Sequence, residues 1–402
     1  MTDKKQKFLP EHFFMVITVI SALFSVFWLA KTGGRCLDTI ISGGGNDKFM
    51  DFFNHISYVR EPAKVYFTSQ HACFPPLIYF MYYLFSIILP ADATVMYDSF
   101  ATSSFAMLLY VSYCVFLAVL LFYSILKLMR RKNVEFSLAI TLIVVISNIY
   151  IFGILERGNS AIIVCILLLR AMELRERKGL IAQELALLFI AMAAAIKIYP
   201  AIFGLIYLFE KKWKEAGKLI LYGVLFFFLP FVPFGGFAGA LQFVRNQIII
   251  QTEVYRGMGS IHAFWNQIAM EWLHCEPKNV GTVFVVLYVL IAVLTSLLVK
   301  EVWKKIFLLS SIMIVAPFWS GRYTGIYLLV PLVLFIRQKR NGMINYVYAG
   351  LFACMFLLLT YNPGELTRLL ATNFPSAIEY SAICIMNLIL MIEAICNLCK
   401  KG

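Results

Sequence analysis

Charge is what this chain of 402 residues has least of: 14% of it is Asp, Glu, Lys or Arg, against 61% hydrophobic residues and a mean hydropathy of +0.81. A soluble domain carries about 25% charged and about 45–50% apolar residues. Water-facing surface cannot absorb that excess, because a folded chain of this length still exposes much of its area. Soluble enzymes, nucleic-acid binders and disordered chains are excluded; a polytopic all-α membrane protein remains. A disulfide framework is missing too. The nine cysteines are odd in number, and Cys114, Cys165, Cys354 and Cys384 lie inside apolar runs; a pair between Cys36 and Cys73 stays open. No small-x-small cleavage site follows the first apolar run, His12 to Ala30, so it reads as a retained anchor behind Lys4, Lys5 and Lys7. His55 and His71 lack metal-ligand spacing and no His/Cys cluster exists, so neither a metal nor a cofactor is expected. Gly43-Gly44-Gly45 has no strand or Walker context, which makes it a turn and not a phosphate loop.

What is present is a series of apolar runs separated by short basic clusters, and these account for the formal net charge of +13. A spanning helix needs about 20 apolar residues. The run Pro75 to Leu89 is bracketed by prolines and too short, so it reads as a half-inserted or interfacial helix. The other crossings are then Phe100–Leu126, Phe136–Leu155, Ser160–Met172, Ile181–Ile196, Ile198–Phe209, Leu219–Phe234, Val280–Val299, Ile306–Trp319, Tyr323–Ile336, Ile344–Tyr361 and Ala377–Ile395. With the first anchor this predicts 12 spans in a single integral membrane domain, 1–402. Most Lys and Arg fall in the short loops of one side (Lys127 to Lys132, Arg170 to Lys178, Lys211 to Lys218, Lys300 to Lys305, Arg337 to Arg340). That side is cytoplasmic by the positive-inside rule, and both termini share it.

The remaining polar chemistry collects on the opposite, extracytoplasmic face. A long first outer segment, 31–99, carries Asp38, Asp47, Asp51, His55 and His71. Within it Phe49, Phe52, Phe53, Ile56 and Val59 recur at helical spacing, which predicts an amphipathic surface helix over 48–59. A second surface helix is expected over 75–89. Other outer turns hold Glu156-Arg157-Gly158-Asn159, Lys197 with Tyr199, and Arg322 with Tyr323; a second outer loop, 235–279, holds Arg245, Arg256, His262 and Asn266. A charge inside a span is costly and usually functional, yet Glu184 is the clearest instance. A transporter would place its site near the midplane; polar density at the outer rim suits an enzyme acting on a substrate with a lipid tail and a polar head. Lys197 has apolar neighbours on both sides, so a carboxylate or a phosphate should meet it. Asp51 by itself reads as a residue that caps or solubilises its helix, and the aromatic clusters Tyr79 to Tyr83 and Phe226 to Phe228 as packing or interfacial rings.

Four stretches carry a family resemblance: Met50-Asp51-Phe52-Phe53 with Cys73-Phe74-Pro75-Pro76-Leu77; Glu156-Arg157-Gly158-Asn159; Ala195-Ile196-Lys197-Ile198-Tyr199-Pro200 with Glu210-Lys211-Lys212-Trp213; and Ala316-Pro317-Phe318-Trp319-Ser320-Gly321-Arg322-Tyr323. Over roughly Lys31 to Pro331 the chain resembles the GT-C superfamily of membrane glycosyltransferases, and within it glycosyltransferase family 87, the polyprenyl-phosphate-mannose-type mannosyltransferases. In the last stretch Arg322 or Tyr323 stands where the family's pattern has histidine. The resemblance implies inverting transfer of a hexose from a polyprenyl-phosphate sugar donor to a glycan or lipid-linked acceptor outside the cell membrane. It makes Asp51 the base, with Asp47 second and Asp38 third. Arg157, Lys197 and Arg322 are assigned to the donor phosphate, with Arg256 and Arg245 in reserve. His55, Asn159, Tyr199, Tyr323, His262 and Asn266 are assigned to sugar and acceptor. Two other functions stay open: a transporter or flippase of lipid-linked sugars, and a polysaccharide polymerase or ligase using lipid-diphosphate glycans.

Overall fold

The computed structural model describes residues 9–34, 49–69, 71–89, 103–129, 133–250, 274, 280–317, 322–358 and 368–400, and among them all regular structure is helical. The α-helices are α1 (Pro10–Lys31), α2 (Met50–Tyr58), α3 (Pro76–Ile88), α4 (Ser104–Met129), α5 (Val134–Ile146), α6 (Ile149–Arg157), α7 (Ala161–Arg175) and α8 (Leu180–Ile196). They continue as α9 (Leu205–Phe209), α10 (Trp213–Phe228), α11 (Gly236–Ile249), α12 (Val280–Leu298), α13 (Val302–Val315), α14 (Leu329–Ile336), α15 (Met343–Met355) and α16 (Arg368–Cys399). Short 3₁₀ turns at Pro62–Phe67, Tyr199–Gly204, Leu229–Phe231 and Arg322–Leu328 link them.

Breaks fall where the sequence supplies a cap or a glycine. Asn148 interrupts the apolar run of α5 and α6: its side chain accepts the Tyr150 N–H at 2.9 Å, which starts a new helix bent by 57°. Gly235 and Gly236, both at positive φ, turn the chain by 104° between α10 and α11. The segment expected as the loop 235–279 therefore opens with a 14-residue helix.

Among the described residues four helices are long and apolar enough to cross a bilayer, within α1, α4, α12 and α16, or up to six crossings if each bent pair counts as one. The twelve apolar runs do not all become helices of spanning length. At about 1.5 Å per residue, the 15 residues of α7 reach about 22 Å against a hydrocarbon core of about 30 Å. Ile198 to Phe209 folds as a 3₁₀ turn followed by the five residues of α9. The long helices leave most of their apolar surface outward, burying only 22–33% of their spanning windows. By contrast α13 and α14 are buried nearly all round, and every residue of α14 is core. An all-round apolar helix belongs at the centre of a bundle.

The bundle has two chemically distinct ends. One is a lattice of ion pairs built from the basic loops. There Arg175 meets Glu210, Arg337 holds Glu176 with an Nη1–Oε2 distance of 2.6 Å, and Arg340 meets Glu301. Lys304 joins Glu301 at 2.7 Å and also reaches Glu393. Glu184 belongs with this polar layer through Lys218 and the Tyr222 hydroxyl, 2.8 Å away. Helices α7 and α8 are packed neighbours, α7 ending in the lattice at Arg175 and α8 ending at Lys197. The opposite end therefore collects the residues that precede α7 and follow α8.

Two close approaches shape that second end. Helix α2 does not bury its apolar face in lipid: Phe52, Phe53 and Ile56 are at most 1% exposed and meet protein rings, with Phe52 within 4.9–6.0 Å of Tyr82, Phe85, Tyr110 and Tyr113. A surface helix was expected to float on the bilayer because aromatic periodicity is the same whether lipid or protein covers it. The other approach is at Gly325, where a Cβ would stand 2.2 Å from the Tyr150 ring. Tyr150 is buried, and its hydroxyl donates to the Met355 carbonyl, so it has no room to yield. Gly325→Ala is expected to cost about 1–3 kcal/mol by overpacking, read as a lower melting temperature of the detergent-solubilised protein.

Candidate active site

The site grows from the end of α6. Gly158 terminates that helix in the left-handed conformation, φ 69°. A Cβ there would also lie 2.6 Å from the Cβ of Phe52 and 3.0 Å from the Tyr110 ring. Only glycine lets α2 back onto this turn. The contact is fixed by hydrogen bonds to one carbonyl: the Phe49 N–H donates to Glu156 O at 3.2 Å and the Tyr110 hydroxyl to the same atom at 2.8 Å. Docked in this way, α2 presents Asp51 to the two residues flanking the glycine.

Three donors converge on the Asp51 carboxylate. Arg157 grips it bidentately, Nε to Oδ2 at 3.0 Å and Nη2 to Oδ1 at 2.9 Å, and Asn159 Nδ2 donates to Oδ2 at 2.7 Å. The Asn159 carbonyl oxygen accepts the Ala161 N–H at 2.9 Å, which fixes which way its amide faces. Burial works to raise the Asp51 pKa, but the hydrogen bonds and charge of Arg157, helped by Asn159, outweigh it and hold the carboxyl below its ordinary value. A carboxyl whose pKa is lower folded than unfolded stabilises the fold fully above the unfolded value, and that contribution disappears as pH falls through the folded value. Asn159→Ala removes one of the three donors. Its melting temperature is therefore expected to begin falling at a higher pH than the wild type's when both are scanned from pH 7 to pH 3.

One turn along α2, His55 stands in a ring of aromatics: Phe74 at 4.7 Å, Tyr82 at 5.2 Å, and Tyr58 and Tyr79 at 5.6 Å. Burial, reinforced by the charges of Lys197 and Arg157 against the pull of Asp51, lowers its pKa to about 4. His55 is thus a neutral imidazole at physiological pH, and its buried Nδ1 has no hydrogen-bond partner among the described residues.

Lys197 enters from the far side. It ends α8 in extended backbone and is followed by the Tyr199–Gly204 turn with Pro200 in its first positions. The side chain is 5% exposed, and Nζ lies 4.4 Å from the centre of the Phe74 ring and 5.6 Å from that of Tyr323. No carboxylate among the described residues forms an ion pair with it. Aromatic faces ease the desolvation of an ammonium, but they leave its hydrogen-bond donors unused. The Arg322–Leu328 turn that carries Tyr323 packs against α6, next to the turn that holds Asn159.

Of the residues singled out from sequence, Asp51, Arg157, Asn159, His55, Lys197 and Tyr323 are brought together. Tyr199 faces Tyr327, hydroxyl to hydroxyl at 3.1 Å. Arg245 is exposed on α11, beside the inward-facing Asn246. Asp38, Asp47, Arg256, His262, Asn266 and the side chain of Arg322 lie outside the described residues, as does Cys36; Cys73 is a free thiol. Among the described residues no three His, Cys, Asp or Glu side chains group as a metal site. Sequence reasoning missed Phe74, Tyr82 and Tyr110 as parts of the site. Rings are abundant here, 16% of the chain, and the one local signal was Phe74 preceding the stiff Pro75-Pro76 pair.

Comparison with known proteins gives one family. The model of glycosyltransferase family 87 matches residues 75–360, a stretch that includes Arg157, Asn159, Lys197 and Tyr323 and begins after Asp51. No curated protein and no solved structure matches the chain.

Proposed function

The chain belongs to glycosyltransferase family 87, and from that premise we propose that it moves a mannose-like hexose from a polyprenyl-phosphate sugar to a hydroxyl of a glycan or lipid-linked acceptor, with inversion, on the extracytoplasmic face of the cell membrane. In this reading the chain has a GT-C-type bundle that threads the bilayer about 12 times with both termini inside. The short helices count as crossings, and the ion-pair lattice lies on the cytoplasmic side with the basic loops. No metal or cofactor takes part; the lipid-linked sugar is itself a substrate.

One observation carries the proposal: a carboxylate kept ionised by Arg157 and Asn159 shares an end of the bundle with a buried lysine that ion-pairs with no carboxylate among the described residues. The acceptor oxygen attacks the anomeric carbon while Asp51 takes its proton. The bond from that carbon to the phosphate oxygen breaks, and the electron pair leaves with the polyprenyl phosphate. Lys197 stabilises that departing charge inside a site that is already dry. Arg157 directs Nε and Nη2 at Asp51, so it orients the base and acts on the phosphate only through its field; Arg322 and Arg256 remain the further cations for the phosphate. Arg245, on the outward side of α11, has no role here. Asp47 is the reserve base. Neutral His55, with Asn159 and Tyr323, offers the sugar hydroxyls donors and acceptors without competing for the phosphate. Tyr199, His262 and Asn266 complete the sugar and acceptor contacts.

Purified protein in liposomes with a labelled polyprenyl-phosphate hexose and a panel of glycan acceptors tests this. Label is expected to enter the acceptor only when both substrates are present. Movement of donor lipid between leaflets without acceptor would identify a flippase. Use of lipid-diphosphate glycans in preference to the monophosphate would identify a polymerase or ligase.

A further inference from the structure

The wall that closes over Lys197 is held from a distance. Phe74 follows a tight turn in which His71, a non-glycine residue, is left-handed at φ 50°; such a conformation persists only where surroundings impose it. The surroundings are two amides of α11. Asn246 is fully buried, and its Nδ2 donates to the carbonyls of Tyr66, at 2.9 Å, and Ala72, at 3.0 Å. Its Oδ1 accepts from Gln242 at 3.0 Å, and Gln247 donates to the Cys73 carbonyl. Further along, the Tyr66 hydroxyl donates to the Phe74 carbonyl at 2.9 Å. These bonds clamp the strained stretch on both sides of the turn, and the Phe74 ring it delivers touches both Lys197 and His55.

We propose that Asn246, assisted by Gln247, is a positioning residue of the sugar-transfer centre: it holds the His71–Phe74 stretch so that the Phe74 ring keeps Lys197 dry and aimed at the donor phosphate. This rests on Lys197 being the phosphate cation. Asp51, His55 and Arg157 on α2 and α6, Cys73 beside Phe74, and Tyr323 are the other titratable groups facing this lysine or coupled to it. The Asn246 side chain bonds Tyr66, Ala72 and Gln242, so a change at residue 246 reaches Lys197 through the Phe74 stretch.

The test is trace acylation of the full-length solubilised protein with acetic anhydride, with Lys197 quantified by mass spectrometry against exposed Lys218. In Asn246→Leu, which keeps the shape and loses the donors, Lys197 labelling relative to Lys218 is expected to rise tenfold or more. In the transfer assay kcat should fall tenfold or more, because Lys197 loses its aim at the departing charge, and the KM for donor should rise fivefold or more. A purely structural role would lower the amount of active protein and leave KM and the Lys197 labelling ratio unchanged. Unaltered Lys197 labelling in a folded Asn246→Leu protein would overturn the proposal. If that variant does not fold, Gln247→Ala decides in the same way, with a threefold rise expected and no rise refuting it. Labelling needs no donor, so a wild type that shows the Asn246 dependence but transfers no sugar would refute the function and leave the positioning intact.

Discussion

Asp51→Asn is expected to lower sugar transfer by about 10²–10⁴-fold, the range for losing a positioned general base. The substitution keeps the side chain's shape and its place between Arg157 and Asn159, so steric loss contributes little. It does leave the guanidinium without its carboxylate. Both side chains are 18% exposed, so water still reaches the pair, and a fall in melting temperature should accompany the loss of activity without explaining its size. A double-mutant comparison separates the two effects. If Arg157 acts by orienting Asp51, then Asp51→Asn with Arg157→Gln should be scarcely slower than Asp51→Asn alone, because residues that act as one unit are not additive. Full transfer by Asp51→Asn would remove this residue from the mechanism and pass the role to Asp47.

The second large effect has opposite signs for stability and activity. Lys197→Met should cost about 10²–10³-fold in kcat, the size seen when one preorganised donor to a developing negative charge is lost. Yet the variant should melt at the same temperature or higher. Methionine fills the space between Phe74 and Tyr323, and it removes a buried ammonium that forms no ion pair among the described residues. Arg at this position should not restore activity, since a flat, forked guanidinium is not a substitute for a compact ammonium between two rings. If Lys197→Met both unfolds the protein and leaves the activity of the folded fraction unchanged, the lysine is structural and the phosphate is bound elsewhere.

The helical class was legible because apolar content and basic punctuation at this level permit little else. Where helices stop was much less legible. Asn148 sits in an apolar stretch and looks like a tolerated polar residue, whereas its capping bond to Tyr150 makes it a bend. Ile198 to Phe209 reads as one continuous apolar helix, but Pro200 and the turn it opens make it a 3₁₀ segment followed by five helical residues. For the site, the turn 156–159 stood out because polar groups and a glycine interrupted apolar helices, and Lys197 because nothing around it in sequence could share its charge. That Arg157 reaches Asp51 rather than standing apart from it was invisible, because the partners are 106 residues apart and α2 had been given to lipid. Asn246 carried no signal at all: a buried amide serving backbone carbonyls 174 and 180 residues away leaves no local pattern.

The short reach of α7 has a consequence for where the chemistry happens. Its last two turns carry Arg170, Glu173 and Arg175, bound into the ion-pair lattice, and charges of that kind anchor a helix end in the aqueous boundary. With that end pinned, the missing length of about 8 Å relative to the hydrocarbon core falls at the other end, where the turn after α6 and Lys197 lie. On the proposed topology the reaction centre is therefore the floor of a well sunk beneath the outer headgroups. A phosphate tethered to a long isoprenoid descends to it along its own tail, while a water-borne sugar phosphate would have to abandon its hydration first. If the proposed function holds, depth alone selects membrane-bound donors before any contact with the sugar is made.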